Sequence, residues 1–168
     1  AYIRMNIDEN QHAVGLVVNT DIYTYATIFA LWFEGKAYVP ILPTAPEDRN
    51  VTVTKEAKLT HVLSSRAVDQ KLTVHIVITS SLKNVTIDER PRYNEIDRVA
   101  YILFTSGTTG TPKGVQITIG NLSAFISAMC ALGHEIHNDD RVLQMFELTF
   151  DFSVVSYLLP IYGGACIY

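Results

Sequence analysis

Ala13-Val14-Gly15-Leu16-Val17-Val18 is an apolar run that stops at Asn19-Thr20-Asp21. An unbroken run of this kind suits a parallel strand buried on both faces. Thr20 or Asp21 stands where a helix cap is needed. Beyond them Ile22, Tyr25, Ala26, Phe29, Ala30 and Phe33 recur at three- and four-residue steps, which predicts a helix over 22–34 with those residues on its buried face. Gly35 ends that helix, and Tyr38-Val39-Pro40-Ile41-Leu42 reads as the next strand. A strand–helix–strand opening predicts the α/β class, a layered, mostly parallel sheet with flanking helices.

The same alternation continues outward. A helix is expected over 46–57, with Pro46 at its start where proline is tolerated. Thr60 to Leu63 and Val74 to Ile78 read as strands, and residues 80–97 as a charged, turn-rich surface connection. His61 and His75 lie inside the two strand patterns with no partner at metal-ligand spacing, so both read as structural histidines. The first twelve residues are polar with scattered apolar positions and read as a weakly ordered lead-in.

Composition narrows the function. The chain has 168 residues, 48% of them hydrophobic and 18% charged, enough for one domain with a real core and without the signature of disorder. A net charge of −4 and the lack of any lysine or arginine run argue against a nucleic-acid surface. Cys130 and Cys166 are too few for a disulfide framework, which points to a reducing, cytoplasmic setting. No apolar run is long enough to span a bilayer.

The chemistry concentrates in one loop. Tyr101-Ile102-Leu103-Phe104 reads as a buried strand and Val115 to Ile119 as a second. Between them runs Thr105-Ser106-Gly107-Thr108-Thr109-Gly110-Thr111-Pro112-Lys113-Gly114. Glycines let successive backbone N–H groups turn toward one anion. Thr105, Ser106, Thr108 and Thr109 add hydroxyl donors, Lys113 adds a mobile positive charge, and Pro112 stiffens the chain just before it. Phosphate is the ligand such a loop suits. Its spacing is not that of a Walker A loop, and no helix pattern follows directly.

The loop Thr105 to Gly114 closely resembles the nucleotide-binding loop of the adenylate-forming, AMP-binding enzymes, a superfamily with acyl-CoA synthetases, luciferases and the adenylation domains of nonribosomal peptide synthetases. A second segment, Phe29 to Pro40, resembles the family's helix-to-strand corner, and 41–49, with Pro43, Pro46 and Arg49, resembles the turn after it. Lys36 stands where the family often has glycine, read as a small departure at an exposed corner. The resemblance implies that Thr105, Ser106, Gly107, Thr108, Thr109, Gly110 and Lys113 hold ATP phosphates, with Mg²⁺ neutralising them, while a carboxylic acid becomes an acyl-adenylate.

After the loop, Leu122, Phe125, Ile126, Met129 and Leu132 follow Gly120-Asn121 at helical spacing, and Gly133 stops that helix. His134, Glu135 and His137 lie in a polar stretch read as a solvated turn, without the further ligands a metal site needs. Arg141 to Met145 reads as a strand. Asp151 then sits between Phe150 and Phe152, ahead of helical spacing at Val154, Val155, Leu158 and Leu159. A buried carboxylate there would require a partner. Asp151 or Ser153 could simply cap the helix. Phe150-Asp151-Phe152-Ser153 also resembles the Phe-Asp-x-Ser motif of amino-acid-adenylating domains, which implies that Asp151 receives the substrate's ammonium group. The implied partners are then an amino acid and a phosphopantetheinyl carrier protein, in a nonribosomal peptide synthetase or a D-alanine–carrier protein ligase. An acyl-CoA synthetase acting on an acid without an amine, and a non-catalytic fragment, are the alternatives. Family members are several times longer, so the chain reads as an N-terminal piece that has no catalytic residue of its own and is inactive alone.

Overall fold

The computed structural model describes residues 1–83, 85, 90–92, 95–105 and 112–168. The α/β expectation holds. Strands β1 (Ala13–Val17), β2 (Ala37–Ile41), β3 (His61–Ser64), β4 (His75–Ile78), β5 (Val99–Thr105) and β6 (Lys113–Thr118) form one sheet in the order β4-β3-β1-β2-β5-β6. All its neighbours are parallel except β5 and β6, which form an antiparallel hairpin.

Strand period two divides the core. Val14, Leu16, Tyr38, Leu63, Tyr101 and Leu103 pack on one face, while Val17, Val39, Ile41, Val62 and, partly buried, Ile102 and Phe104 pack on the other. Helix α2 (Ile22–Phe33) joins β1 to β2 and supplies Ile28, Leu31 and Trp32 to the first face. Helix α3 (Glu47–Glu56) joins β2 to β3 and supplies Val53 to the second. A sheet covered on both sides explains why β1 and β2 lack polar alternation. The edge strand β6 is the exception, its first four residues being exposed.

Helix α4 (Ile119–Ala131) starts directly from β6 through a capping box between Thr118 and Asn121. It ends ahead of Gly133, whose φ of 82° only glycine adopts without strain. Helix α5 (Ser153–Gly163) closes the first face with Val154, Tyr157 and Leu158. A small parallel sheet pairs β7 (Arg141–Val142) with β8 (Cys166–Ile167), so the strand expected over 141–145 is only two residues long. Cys130 and Cys166 are free thiols. Among the described residues no helix is long and apolar enough to cross a membrane.

Three sequence expectations are corrected. The lead-in contains a helix, α1 (Tyr2–Asn6), whose Ile3 and Ile7 enter the core and whose Arg4 Nε donates to Glu34 at 2.9 Å. Five residues are too few to display a helical period. On α2 the enclosed face is Thr24, Thr27, Ile28, Leu31 and Trp32, whereas Ile22 and Phe33 of the expected stripe are exposed. Trp32 decides the rotation, because its indole N–H donates to the Ala100 carbonyl at 2.8 Å inside the core. The Lys36 corner is buried rather than exposed: Lys36 is 4% exposed and donates to the carbonyls of Asp8 and Gln11, both at 2.8 Å. A glycine there would leave those two carbonyls without this donor.

Candidate functional site

The base of the glycine-rich loop is set by the β5–β6 hairpin. Thr105 ends β5 and is the register partner of Lys113, which begins β6, so a hydroxyl and a cation stand opposite each other at its mouth. Both are exposed. Ser106, Gly107, Thr108, Thr109 and Gly110 lie outside the described residues. Gly114 pairs with Phe104, and a Cβ at Gly114 would come within 2.9 Å of Ile102 and 3.1 Å of Phe104. The glycine after Lys113 therefore lets the hairpin pack closely. A second cation reaches the same place from α3: Arg49 Nη2 donates to the Phe104 carbonyl, one residue before Thr105, at 3.4 Å.

Asp151 lies in the turn ahead of α5 and is exposed, with Phe150 and Phe152 beside it 56% and 54% exposed. The carboxylate is therefore not buried and the fold does not require a partner for it. The capping alternative also fails. The N-cap position is Phe152, and among the described residues no side chain caps the helix and the enclosed Ser153 hydroxyl has no partner. Among the described residues nothing hydrogen-bonds to the Asp151 carboxylate.

Asp151 instead lines a cleft of about 280 Å³, together with Tyr101, Ile117, Asn121, Phe125 and Val155. Its walls come from β5, β6, α4 and the start of α5, with one carboxylate among largely apolar groups. Burial first, and then the Asp151 charge, push the Tyr101 phenol up to about 12. That coupling ties Asp151 electrostatically to the middle of β5. Four residues further along the same strand is Thr105, roughly 13 Å away at the usual strand rise. The middle of β5 therefore faces the cleft that Asp151 lines, and its end carries Thr105 opposite Lys113 of β6.

Tyr101, Asn121 and Arg49 stand beside the expected positions, and sequence reasoning did not single them out as candidates. Tyr101 read as core, Asn121 as a helix start and Arg49 as part of a turn. Only the Tyr101 position had a signal, since in a strand the residue four before Thr105 shares its face. A larger crevice, about 320 Å³, lies over the carboxyl ends of β1, β2 and β3 between Asn19, Thr44, Arg66 and Glu147, and none of the expected site residues lines it. His134, Glu135 and His137 are exposed, and among the described residues no three His, Cys, Asp or Glu side chains converge as metal ligands.

The chain is similar to known proteins in sequence and in fold. The profile of a family described as AMP-binding enzyme matches residues 3–168. Gramicidin S synthase 2 of Brevibacillus brevis is 31% identical over 181 residues, covering 98% of this chain and 4% of the synthase. Among solved structures, a four-domain nonribosomal peptide synthetase, AB3403, bound to AMP and glycine superposes with a TM-score of 0.85 at 24% identity, covering 99% of this chain and 12% of that one. The N-terminal subdomain of Klebsiella oxytoca NpsA, in complex with 3-hydroxyanthranilyl-AMSN, superposes with a TM-score of 0.77 at 24% identity over 92% of this chain and 39% of that one. The chain thus spans a small part of the curated relatives it matches.

Proposed function

The chain belongs to the AMP-binding enzyme family, and from that premise we propose that it supplies the phosphate-binding hairpin and the amine-binding carboxylate of an amino-acid adenylation domain. The observation that carries this reading is that β5 faces the Asp151 cleft at Tyr101 and ends in the Thr105–Lys113 pair. In the reaction a substrate carboxylate attacks the α-phosphorus of ATP, pyrophosphate leaves, and the acyl-adenylate later gives its acyl group to the thiol of a carrier protein.

Each residue has a separable task. Lys113 and Thr105 hold the phosphates by charge and hydrogen bonding, with Ser106, Gly107, Thr108, Thr109 and Gly110 between them, so that catalysis rests on positioning and charge stabilisation. Their cation and hydroxyl fit a polyphosphate, and Mg²⁺ would neutralise the charge of the phosphates held there. Asp151 receives the substrate's ammonium group at a mainly apolar cleft, where its charge attracts an amine and offers nothing to an acid without one. The similarity to peptide synthetases, together with that carboxylate, favours an amino acid over a plain carboxylic acid. The amino acid itself is chosen by groups beyond these two positions.

The test is ATP–pyrophosphate exchange by the intact protein that carries this chain, across a panel of amino acids and of fatty and aryl acids. Exchange is expected with an amino acid and is lost in Asp151→Ala. Exchange driven by an acid without an amine, and indifferent to Asp151→Ala, would overturn the reading.

A further inference from the structure

His61 and His75 open β3 and β4, and in the parallel pairing of these strands they are direct register partners. Their rings stand nearly perpendicular with centroids 5.3 Å apart. The sequence separates them by a loop, and so hides a pair that the sheet brings together. His75 is exposed and His61 half-buried, on β4, the edge of the sheet, and its neighbour.

The hydrogen bonds around His61 assign its tautomer. Gln11 Nε2 donates to the carbonyls of Ala13 at 2.6 Å and Lys58 at 3.4 Å, which leaves Gln11 Oε1 as an acceptor. Thr60 Oγ1 donates to that oxygen at 3.0 Å and so uses its only proton. Thr60 Oγ1 also lies 2.8 Å from His61 Nδ1, so in this second bond the ring N–H must be the donor. The proton is therefore on Nδ1 and the lone pair on Nε2. A histidine that donates one ring N–H to a fixed oxygen and keeps the other nitrogen free has the orientation typical of metal ligands.

We propose that His61 and His75 form a two-histidine site for a divalent transition-metal ion of the zinc, nickel or copper class, with water completing the coordination. The spacing supports it. With metal–nitrogen bonds of about 2.1 Å, two imidazoles on one tetrahedral ion have ring centroids roughly 5 Å apart, close to the 5.3 Å observed. Imidazole is the ligand these ions take, whereas Mg²⁺ and Ca²⁺ prefer oxygen. A bound ion would clamp the edge strand β4 to β3. This inference is independent of the adenylation reading.

The experiment is calorimetric titration of the protein, purified without a histidine tag, with Zn²⁺ and with Ni²⁺. Thermal unfolding is followed in parallel. One site is expected whose affinity falls about tenfold or more in His61→Gln and in His75→Gln, with a metal-induced rise in Tm that both variants lose. Circular dichroism of the metal-free variants separates site loss from misfolding. His134→Gln/His137→Gln removes the other histidine pair and is expected to bind as the parent does. The proposal is overturned if neither ion binds, or if binding survives both strand variants and disappears with His134 and His137.

Discussion

The hydroxyls of Tyr38 and Tyr157 meet at 3.1 Å in the centre of the first core face, where both residues are fully enclosed. One belongs to β2 and the other to α5, so this bond fastens the last helix to the sheet. Tyr157 also packs against Tyr25, and Tyr38 against Tyr101, with centroid distances of 5.8 and 5.5 Å. Burial above all raises both phenols far from their ordinary range, so each stays neutral and the pair persists as an O–H···O hydrogen bond. Because α5 starts just after Asp151, the tyrosine pair also holds the turn that presents the carboxylate toward Tyr101.

Tyr157→Phe leaves the Tyr38 hydroxyl buried without this partner, and Tyr38→Phe does the converse. Each is expected to cost about 1–3 kcal/mol, while the double substitution costs less than their sum because no orphaned hydroxyl remains. Urea unfolding of the four proteins measures the coupling. Strict additivity would show that the hydrogen bond contributes little beyond packing.

Asp151→Asn removes the charge from the cleft and keeps the shape. Amino-acid-dependent exchange is expected to fall by about a hundredfold or more, since the substrate ammonium loses its counter-charge. Tm should move little, because the residue is exposed and, among the described residues, nothing hydrogen-bonds to its carboxylate. The Tyr101 phenol, which burial and then Asp151 raise to about 12, should titrate at lower pH in this variant. Spectrophotometric titration checks it, and an unmoved Tyr101 would separate the two residues.

Arg49 is exposed and meets the chain at the foot of the loop through the Phe104 carbonyl. Arg49→Ala is expected to raise KM for ATP about tenfold, since small displacements of a positioning group are costly. Arg49→Lys should recover only part, lacking the planar fork of donors. Unchanged KM in both variants would reduce Arg49 to a surface residue of α3.

Asp21 links α2 to the end of β3. It accepts from the Thr24 backbone at 3.0 Å and from Ser65 Oγ at 2.7 Å, and lies 3.4 Å from Arg66. Burial taken alone raises its pKa, but the Ser65 and Thr24 bonds and the Arg66 charge outweigh it, so the folded value lies below the ordinary 3.8. Its contribution is therefore complete above pH 3.8 and is lost as pH falls through the lower, folded value. Asp21→Ala should cost about 1 kcal/mol at neutral pH through loss of the cap. Asp21→Asn can keep an acceptor but should flatten the acid limb of the stability curve. Acid titrations of unfolding that coincide for parent and Asp21→Asn would contradict this.

Element identity was legible because it is local. The apolar run at 13–18 and the proline-started helix of α3 stand where the spacing of residues puts them, and strands lie on both sides of the glycine-rich segment, though β5 includes Thr105 and β6 already starts at Lys113. The orientation of α2 was less legible. Phe29, Ala30 and Tyr25 fit two overlapping stripes, and the choice between them fell to the Trp32–Ala100 hydrogen bond, made with a strand far along the chain. Lys36 failed for a related reason. Its burial depends on carbonyls of Asp8 and Gln11, which no periodicity around Lys36 reports.

By itself the sequence determined most of the strands and helices after the first twelve residues and the residue types of two short segments, because propensity, period and side-chain donors are properties of neighbouring residues. Tertiary structure alone decided which strands lie side by side. That choice made partners of His61 and His75, while the packing of α5 on the sheet set Tyr38 against Tyr157 and brought Asp151 to the cleft at Tyr101. Such adjacencies follow from covering both faces of one sheet at once, a condition satisfied by the whole chain and encoded in no single stretch of it.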